Sequence, residues 1–258
     1  MDPNAIAAAL RAQVAFVDFD EATHTYSTGD RIYPSVTKII VETGVTSVDG
    51  VPPSALERGA RVHQMVAAIG DPENAWPTMP AEEQIYARRF LEFTAATGFM
   101  PFLCEQRVLI PVQLPTIDGG FETFWVAGTL DALGLFERDI PEFGIQAGQI
   151  GLPDFKSGMA GVPAWVRFQL AGYGLGVCFA LQRAGLTLNK PLVRFGVGLK
   201  PHQPFSFNSV TDFRVCDSVA DVFYFCSLVA AYHAQRGRNF YRPSEVIFSI
   251  GGKPVLVH

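Results

Sequence analysis

The sequence predicts an α/β fold: a mixed central β-sheet flanked by helices, with a mainly helical N-terminal part. Three observations carry that expectation. Apolar residues recur at helical spacing through much of residues 1–100, the pattern turns strand-like over 101–156, and a long helical stretch then separates those strands from later ones. At 258 residues, 48% hydrophobic and 17% charged, the chain suits one globular domain over 1–258, and no linker-like segment divides it.

Each element has its own signal. A short apolar and alanine-rich segment, 4–12, predicts a first helix. "VAFVDFD" and "HTYSTGDRIY" alternate apolar and polar residues around "TGD", as a hairpin does. In "PSVTKIIVETG", Ser35 after Pro34 suits an N-cap and Gly44 a helix end. Helices follow over about 54–69, stopped by "GDPEN", and over about 80–97, closed by Gly98. "FLCEQRVLIPV", "FETFWVAGTLDALGLFE" and "IQAGQIGLPDFK" read as strands separated by the turn-rich "PTIDGG" and "RDIPEFG". A long helix runs from Pro163 to about Arg183 and stops at Gly185. "LVRFGVGLK" and "FSFNSVTDF" read as two more strands, 216–236 as a final helix, and "EVIFSIGGKPVLVH" as a hairpin around its glycine pair.

Composition narrows the function. The longest apolar runs, such as "LGVCFAL", fall far short of the ~20 residues that span a bilayer. "MDPNAIAAALRAQ" lacks the basic segment and apolar run of a signal peptide, so a cytoplasmic protein without membrane association is expected. Cys104, Cys178, Cys216 and Cys226 form no C-x-x-C pair, which points to buried thiols in a reducing compartment rather than a zinc or iron–sulfur site. The net charge of −5 opposes nonspecific nucleic-acid binding, which lysine and arginine drive. A nucleic-acid enzyme of this composition needs a local basic lining or bridging metal ions. Arg58, Arg61, Arg88, Arg89, Arg167 and Lys200 are candidates for that lining.

The chemistry centres on two strands. Asp131 lies in the apolar run "VAGTLDALGLF", where a carboxylate needs a partner, and Gly128 there allows close approach of a backbone or ligand. In "GLPDFKSG", strand alternation puts Asp154 and Lys156 on one face and Phe155 on the other, into the core. The flanking proline and glycine read as the ends of one short strand. If the two strands are neighbours, Asp131 and Asp154 converge beside Lys156. Two carboxylates with the Phe155 carbonyl make a hard-oxygen site suited to Mg²⁺ or Mn²⁺. A lysine beside it orients water and stabilises developing negative charge.

Helices add further candidates. Gly59 and His63 are four apart in "ERGARVHQ"; the glycine implies close packing or a nearby ligand, and the imidazole is a potential metal ligand. Gln169 and Tyr173 share a face of "PAWVRFQLAGYGLG", with Trp165 one turn earlier, and are placed to bond a phosphate or base and stack on a nucleotide. Glu105, an acid in an apolar strand, suits an outer supporting position. His24, His202, His233 and His258 show no partner pattern.

In order, "RGARVH", "GTLD", "DFK" and "QLAGY" resemble the motifs of the PD-(D/E)XK nuclease superfamily, in its RecB-like branch of Cas4-type and phage or mitochondrial single-strand exonucleases. "YPSVTKII" is also similar to the N-terminal segment of the phage-type and mitochondrial members, and the resemblance covers about 33–173. It implies a restriction-endonuclease-like core and Mg²⁺- or Mn²⁺-dependent hydrolysis of DNA, at single strands or duplex ends. The setting would be recombination, repair or replication, with proteins of those processes as partners, in a bacterial or phage-infected cell. It makes His63, Asp131 and Asp154 metal ligands with the Phe155 carbonyl, Lys156 the catalytic lysine, and Gln169 and Tyr173 residues that contact DNA or support the site; Glu105 and Ser157 are expected beside them as supporting residues. The cysteines that hold an iron–sulfur cluster in Cas4-type relatives have no counterpart, so no cluster is expected. A nicking or structure-specific endonuclease, or an inactive nucleic-acid-binding or assembly protein, would be the alternatives on the same fold.

Overall fold

A computed structural model describes residues 2–20, 23, 25–47, 50–70, 78–116, 118–157, 162–207, 212–237, 247–250 and 253–256. His24, Gly158 and His258 lie outside these residues.

The N-terminal part begins with α1 (Pro3–Val14), capped by the Asp2 carboxylate, which accepts the Asn4 N–H. A small antiparallel sheet follows, β1 (Asp18–Asp20), β2 (Thr25–Thr28) and β3 (Arg31–Tyr33), with the β2–β3 turn at Gly29–Asp30 as the "TGD" signal implies. Ser35 caps α2 (Val36–Glu42), its hydroxyl accepting the Lys38 N–H at 3.0 Å. Then come α3 (Pro53–Gly70) and α4 (Gln84–Thr97), the latter closed by Gly98 in the left-handed region.

The main sheet has the order β4-β5-β6-β7-β8, made of β4 (Phe99–Pro115), β5 (Phe121–Phe136), β6 (Ile150–Ser157), β7 (Val193–Leu199) and β8 (Phe213–Val215). It is mixed: β6 and β7 pair in parallel, joined through α5 (Val166–Arg183), while the other neighbours are antiparallel. This is the mixed α/β architecture the sequence predicts. After β8 come α6 (Val219–Ala234) and a hairpin of β9 (Ile247–Ile250) and β10 (Lys253–Leu256).

Both faces of the sheet are covered. On one, α1, α2, α5 and α6 bury Leu10, Ile39, Leu170 and Phe225 among sheet residues such as Leu130 and Leu152. On the other, α3 and α4 close a cluster of phenylalanines in which Phe93 lies 6.0 Å from Phe155 and 6.1 Å from Phe195, centroid to centroid. Phe155 therefore enters the core as alternation requires. The strand read over "FSFNSVTDF" is the main departure. Its first residues, 205–207, form no strand, 208–211 lie outside the described residues, and β8 starts at Phe213; the buried Asp212 beside it holds Lys200, Gln203 and the Ser206 N–H.

One irregularity of the sheet positions the site. β5 and β6 pair only at Gly134↔Gly151 and Leu135↔Ile150, and the ladder ends there. A Cβ on Gly134 would lie 2.3 Å from the Phe99 ring, so only glycine admits that ring at the junction. Pro153 consequently sits inside β6, not at its end. The Phe155 N–H points toward β5, and residues two apart share a side, so the N–H that Pro153 lacks falls where no ladder exists.

Candidate metal centre

The gap between β5 and β6 is filled by side chains. Asp131 on β5, 6% exposed, accepts the Phe155 N–H at 2.7 Å through Oδ2 and so substitutes for the missing ladder bond. Opposite it on β4, Glu105 has φ 47°, and no other described non-glycine residue has positive φ. Pairing holds on both sides, at Cys104↔Ala132 and Gln106↔Leu130, but skips Glu105, whose turned backbone carries its carboxylate toward Asp131. A left-handed conformation of this kind costs about 1–3 kcal/mol and persists where surrounding structure imposes it, often at functional sites.

His63 closes the group from α3. Its Nε2 lies 3.2 Å from the Phe155 carbonyl oxygen, which only accepts, so Nε2 carries a proton. Nδ1 then faces Asp131 Oδ1 at 3.5 Å and Glu105 Oε1 at 3.6 Å. Ligand atoms of His63, Glu105 and Asp131 all lie within 4.8 Å of one another. When the imidazole is neutral, its Nδ1 and the two carboxylates bring three acceptor atoms within 4.8 Å of one another. That donor set of one nitrogen and two carboxylates, lacking soft sulfur, fits a hard or borderline divalent cation. The group differs from the sequence reading in three respects. It takes in Glu105, expected in an outer position; it leaves out Asp154, expected as a ligand; and the Phe155 carbonyl meets His63 Nε2.

Asp154 and Lys156 lie alongside on β6. Asp154 is 1% exposed, and its Oδ1 and Oδ2 stand 2.9 and 2.8 Å from Lys156 Nζ. Oδ2 has no hydrogen bond of good geometry among the described residues. The ammonium also sits 5.0 Å above the Trp165 ring, so carboxylate and indole together fix its place. This contact gives Trp165, which the sequence offers only as part of a helix face, a direct role in the site. Ser157 ends β6, half-buried, paired with Leu199.

Gln169 and Tyr173 brace the site from α5. Gln169 Nε2 donates to the Tyr173 hydroxyl at 3.0 Å, and both side chains are buried, so neither offers a face for stacking. The edge of the Tyr173 ring points at Gly128, where a Cβ would be 2.5 Å from Cε1. Gly128 thus admits a tyrosine, not a ligand. Gly128→Ala is expected to destabilise the protein by about 1–3 kcal/mol through overpacking, read as a lower urea midpoint at unchanged slope. Gly59, by contrast, meets nothing within 4 Å, so packing does not explain it.

The proposed basic channel is largely committed elsewhere. Arg61 forks onto Glu83 at 2.7 Å, Arg89 onto Glu92 at 2.7 Å, Arg167 stands 3.6 Å from Asp221, and Lys200 stands 2.5 Å from Asp212. The cysteines are all free; Cys216 and Cys226 are buried, whereas Cys178 is exposed on α5. No described helix is long and apolar enough to cross a membrane.

Electrostatics follow from the crowding of acids. Desolvation by the surrounding protein pushes the Glu105 pKa up to about 7 although 41% of the side chain meets solvent, opposed by His63 and reinforced by Asp131. Burial likewise raises Asp154 to about 6, against the pull of Lys156. For His63, burial favours the neutral ring, but Asp131 and Glu105 outweigh it and raise its pKa. A carboxyl whose folded pKa is raised binds its proton more tightly in the native state than in the unfolded chain. Its contribution to stability is complete below 4.5, the ordinary glutamate value, and is lost as pH rises through about 7. In chelator, the wild type should therefore lose thermal stability relative to Glu105→Gln across that window. Added Mn²⁺ should oppose the loss, increasingly so at the upper end, because cation and proton compete for the same oxygens.

Compared with models of protein families and with curated proteins, the chain finds no match. The functional reading rests on the site itself.

Proposed function

We propose that the protein is a metal-dependent nuclease that hydrolyses DNA phosphodiester bonds, acting as an exonuclease on DNA ends or single strands. One observation carries the reading: His63, Glu105 and Asp131 converge where β5 and β6 part, with the Lys156 ammonium held on the adjoining strand. The order of motifs and the mixed sheet are those the PD-(D/E)XK resemblance implies.

In this reading His63, Glu105 and Asp131 hold Mg²⁺ or Mn²⁺, and Asp154, with its undersatisfied Oδ2, adjoins them. The bound cation would supply Lewis acidity toward a phosphoryl oxygen and lower the pKa of a water. Lys156, anchored by Asp154 and Trp165, orients the attacking water and offsets negative charge that develops on the phosphoryl oxygens. The water oxygen forms the new bond to phosphorus, the bond to the 3′ oxygen breaks, and that oxygen takes up a proton. Gln169 and Tyr173 keep α5 seated on Gly128 and so keep Trp165 over the lysine. Fixed cations at the site would offset the unfavourable net charge of −5.

The test uses end-labelled linear DNA, single- and double-stranded, and a covalently closed circle, each with Mg²⁺ or Mn²⁺. Mononucleotides or short products from linear DNA, with the circle intact, are the expected result. Nicking of the circle would replace the exonuclease by an endonuclease. Absence of cleavage in every substrate and metal would reject the nuclease.

A further inference from the structure

We infer that the groove between α5, β8 and the start of α6 is the track along which single-stranded nucleic acid leaves the metal centre, an inference that rests on the nuclease reading for the identity of that centre. The groove, of about 220 Å³, is lined by Arg167, Arg214 and Tyr224 together with Asp217 and Asp221.

Sheet register ties the groove to the site. Asp154 pairs with Gly196 on β7, and Gly196 pairs with Arg214 on β8. Directly paired residues project from the same face, so Arg214 stands on the face of Asp154 and Lys156, two strand spacings or about 10 Å away. Gly196 has no side chain there; the Val162 side chain occupies the space, 2.2 Å from where its Cβ would be. The sheet face between the two charged positions is therefore closed by an apolar, nearly buried side chain. α5 makes the second connection. Its first turn carries Arg167 two residues after Trp165, whose ring lies under the Lys156 ammonium.

The chemistry of the groove is that of a strand binder. Arg167 lies 4.6 Å over the Phe168 ring, and Phe168 in turn packs against Tyr224 at 5.6 Å. Tyr224 is thus held from behind while 57% of it remains exposed. A rigid ring of this kind, next to cations, is what an unpaired base stacks on. A duplex keeps its bases stacked on one another and would present phosphates alone. Asp221, 3.6 Å away, pairs with Arg167, and Asp217 accepts the Arg194 backbone N–H at 2.7 Å, so neither acid is paired with Arg214. Arg214 makes no ion pair among the described residues and is the cation left for a phosphate.

Fluorescence anisotropy with labelled oligothymidine and with a blunt hairpin duplex tests this, in chelator so that binding is read without cleavage. Tyr224→Ala should weaken oligothymidine binding at least about fivefold, and Tyr224→Phe, which keeps the ring, should restore it. Arg214→Gln should lower the slope of log affinity on log salt by about 0.7. Duplex affinity should stay the same in Tyr224→Ala. Unchanged oligothymidine binding in Tyr224→Ala and Arg214→Gln, or equal losses for strand and duplex in Tyr224→Ala, would overturn the inference. Oligothymidine binding through this groove by a chain that cleaves nothing with any metal would reject the nuclease and leave the groove standing.

Discussion

Lys156→Ala is expected to lower DNA cleavage by about 10²- to 10³-fold, the usual loss when one preorganised donor to a developing oxyanion is removed. Its effect on stability separates this role from a structural one. Asp154, 1% exposed, loses its ammonium partner and becomes a buried carboxylate without a counter-charge. Burial already raises its pKa to about 6, and without Lys156 it rises further. The variant should therefore be destabilised at neutral pH and recover as the pH falls and Asp154 takes up its proton. The double variant Lys156→Ala/Asp154→Asn removes charge and counter-charge together. It should regain stability at neutral pH and remain inactive. Equal activity of wild type and Lys156→Ala in a single-turnover assay would show that the ammonium has no part in the chemistry.

Asp131 should give the largest combined effect, because one of its oxygens holds the backbone and the other faces the proposed metal group. Oδ2 accepts the Phe155 N–H at 2.7 Å, and Oδ1 lies 3.5 Å from His63 Nδ1. Asp131→Asn keeps an acceptor for Phe155 while removing the charge. It should fold, and it should bind Mn²⁺ more weakly by at least the roughly 10- to 100-fold lost when even an outer partner of a metal ligand is changed. Asp131→Ala also leaves the Phe155 N–H unpaired in the gap, at a further cost of about 1–3 kcal/mol. Calorimetric titration with Mn²⁺ and urea unfolding of both variants separate the two functions. A normal Mn²⁺ titration in Asp131→Asn would place the metal elsewhere.

Several parts of this picture are legible in the residues themselves. The change of period near residue 101 marks the passage from helices to sheet, because side-chain direction repeats every 3.6 residues in one and every 2 in the other. Asp131 in an apolar strand and Asp154 two residues from Lys156 indicate the site, since buried charge needs partners, and the fold brings those partners together. What the sequence hides is mostly long-range. Glu105 joins the inner group only because its backbone turns to φ 47° opposite Asp131, which no local propensity encodes. The last paired position of β5 and β6 places two glycines distant in sequence under the Phe99 ring, a juxtaposition that neither segment encodes alone. The arginines read as a channel are instead spoken for by Glu83, Glu92 and Asp221, a pairing set by tertiary contacts. Residues 205–207 read as strand because their alternation is strong, but they form none, and the Ser206 N–H turns instead to the Asp212 carboxylate.

Readdition of Mn²⁺ to chelator-stripped protein, followed on end-labelled single-stranded DNA, tests the central claim most directly. The account predicts no cleavage without the cation, cleavage that rises with Mn²⁺ until the His63–Glu105–Asp131 group is filled, and a marked loss in Asp131→Asn at the same Mn²⁺. Cleavage that persists in chelator, or that responds to Mn²⁺ identically in wild type and Asp131→Asn, would contradict it.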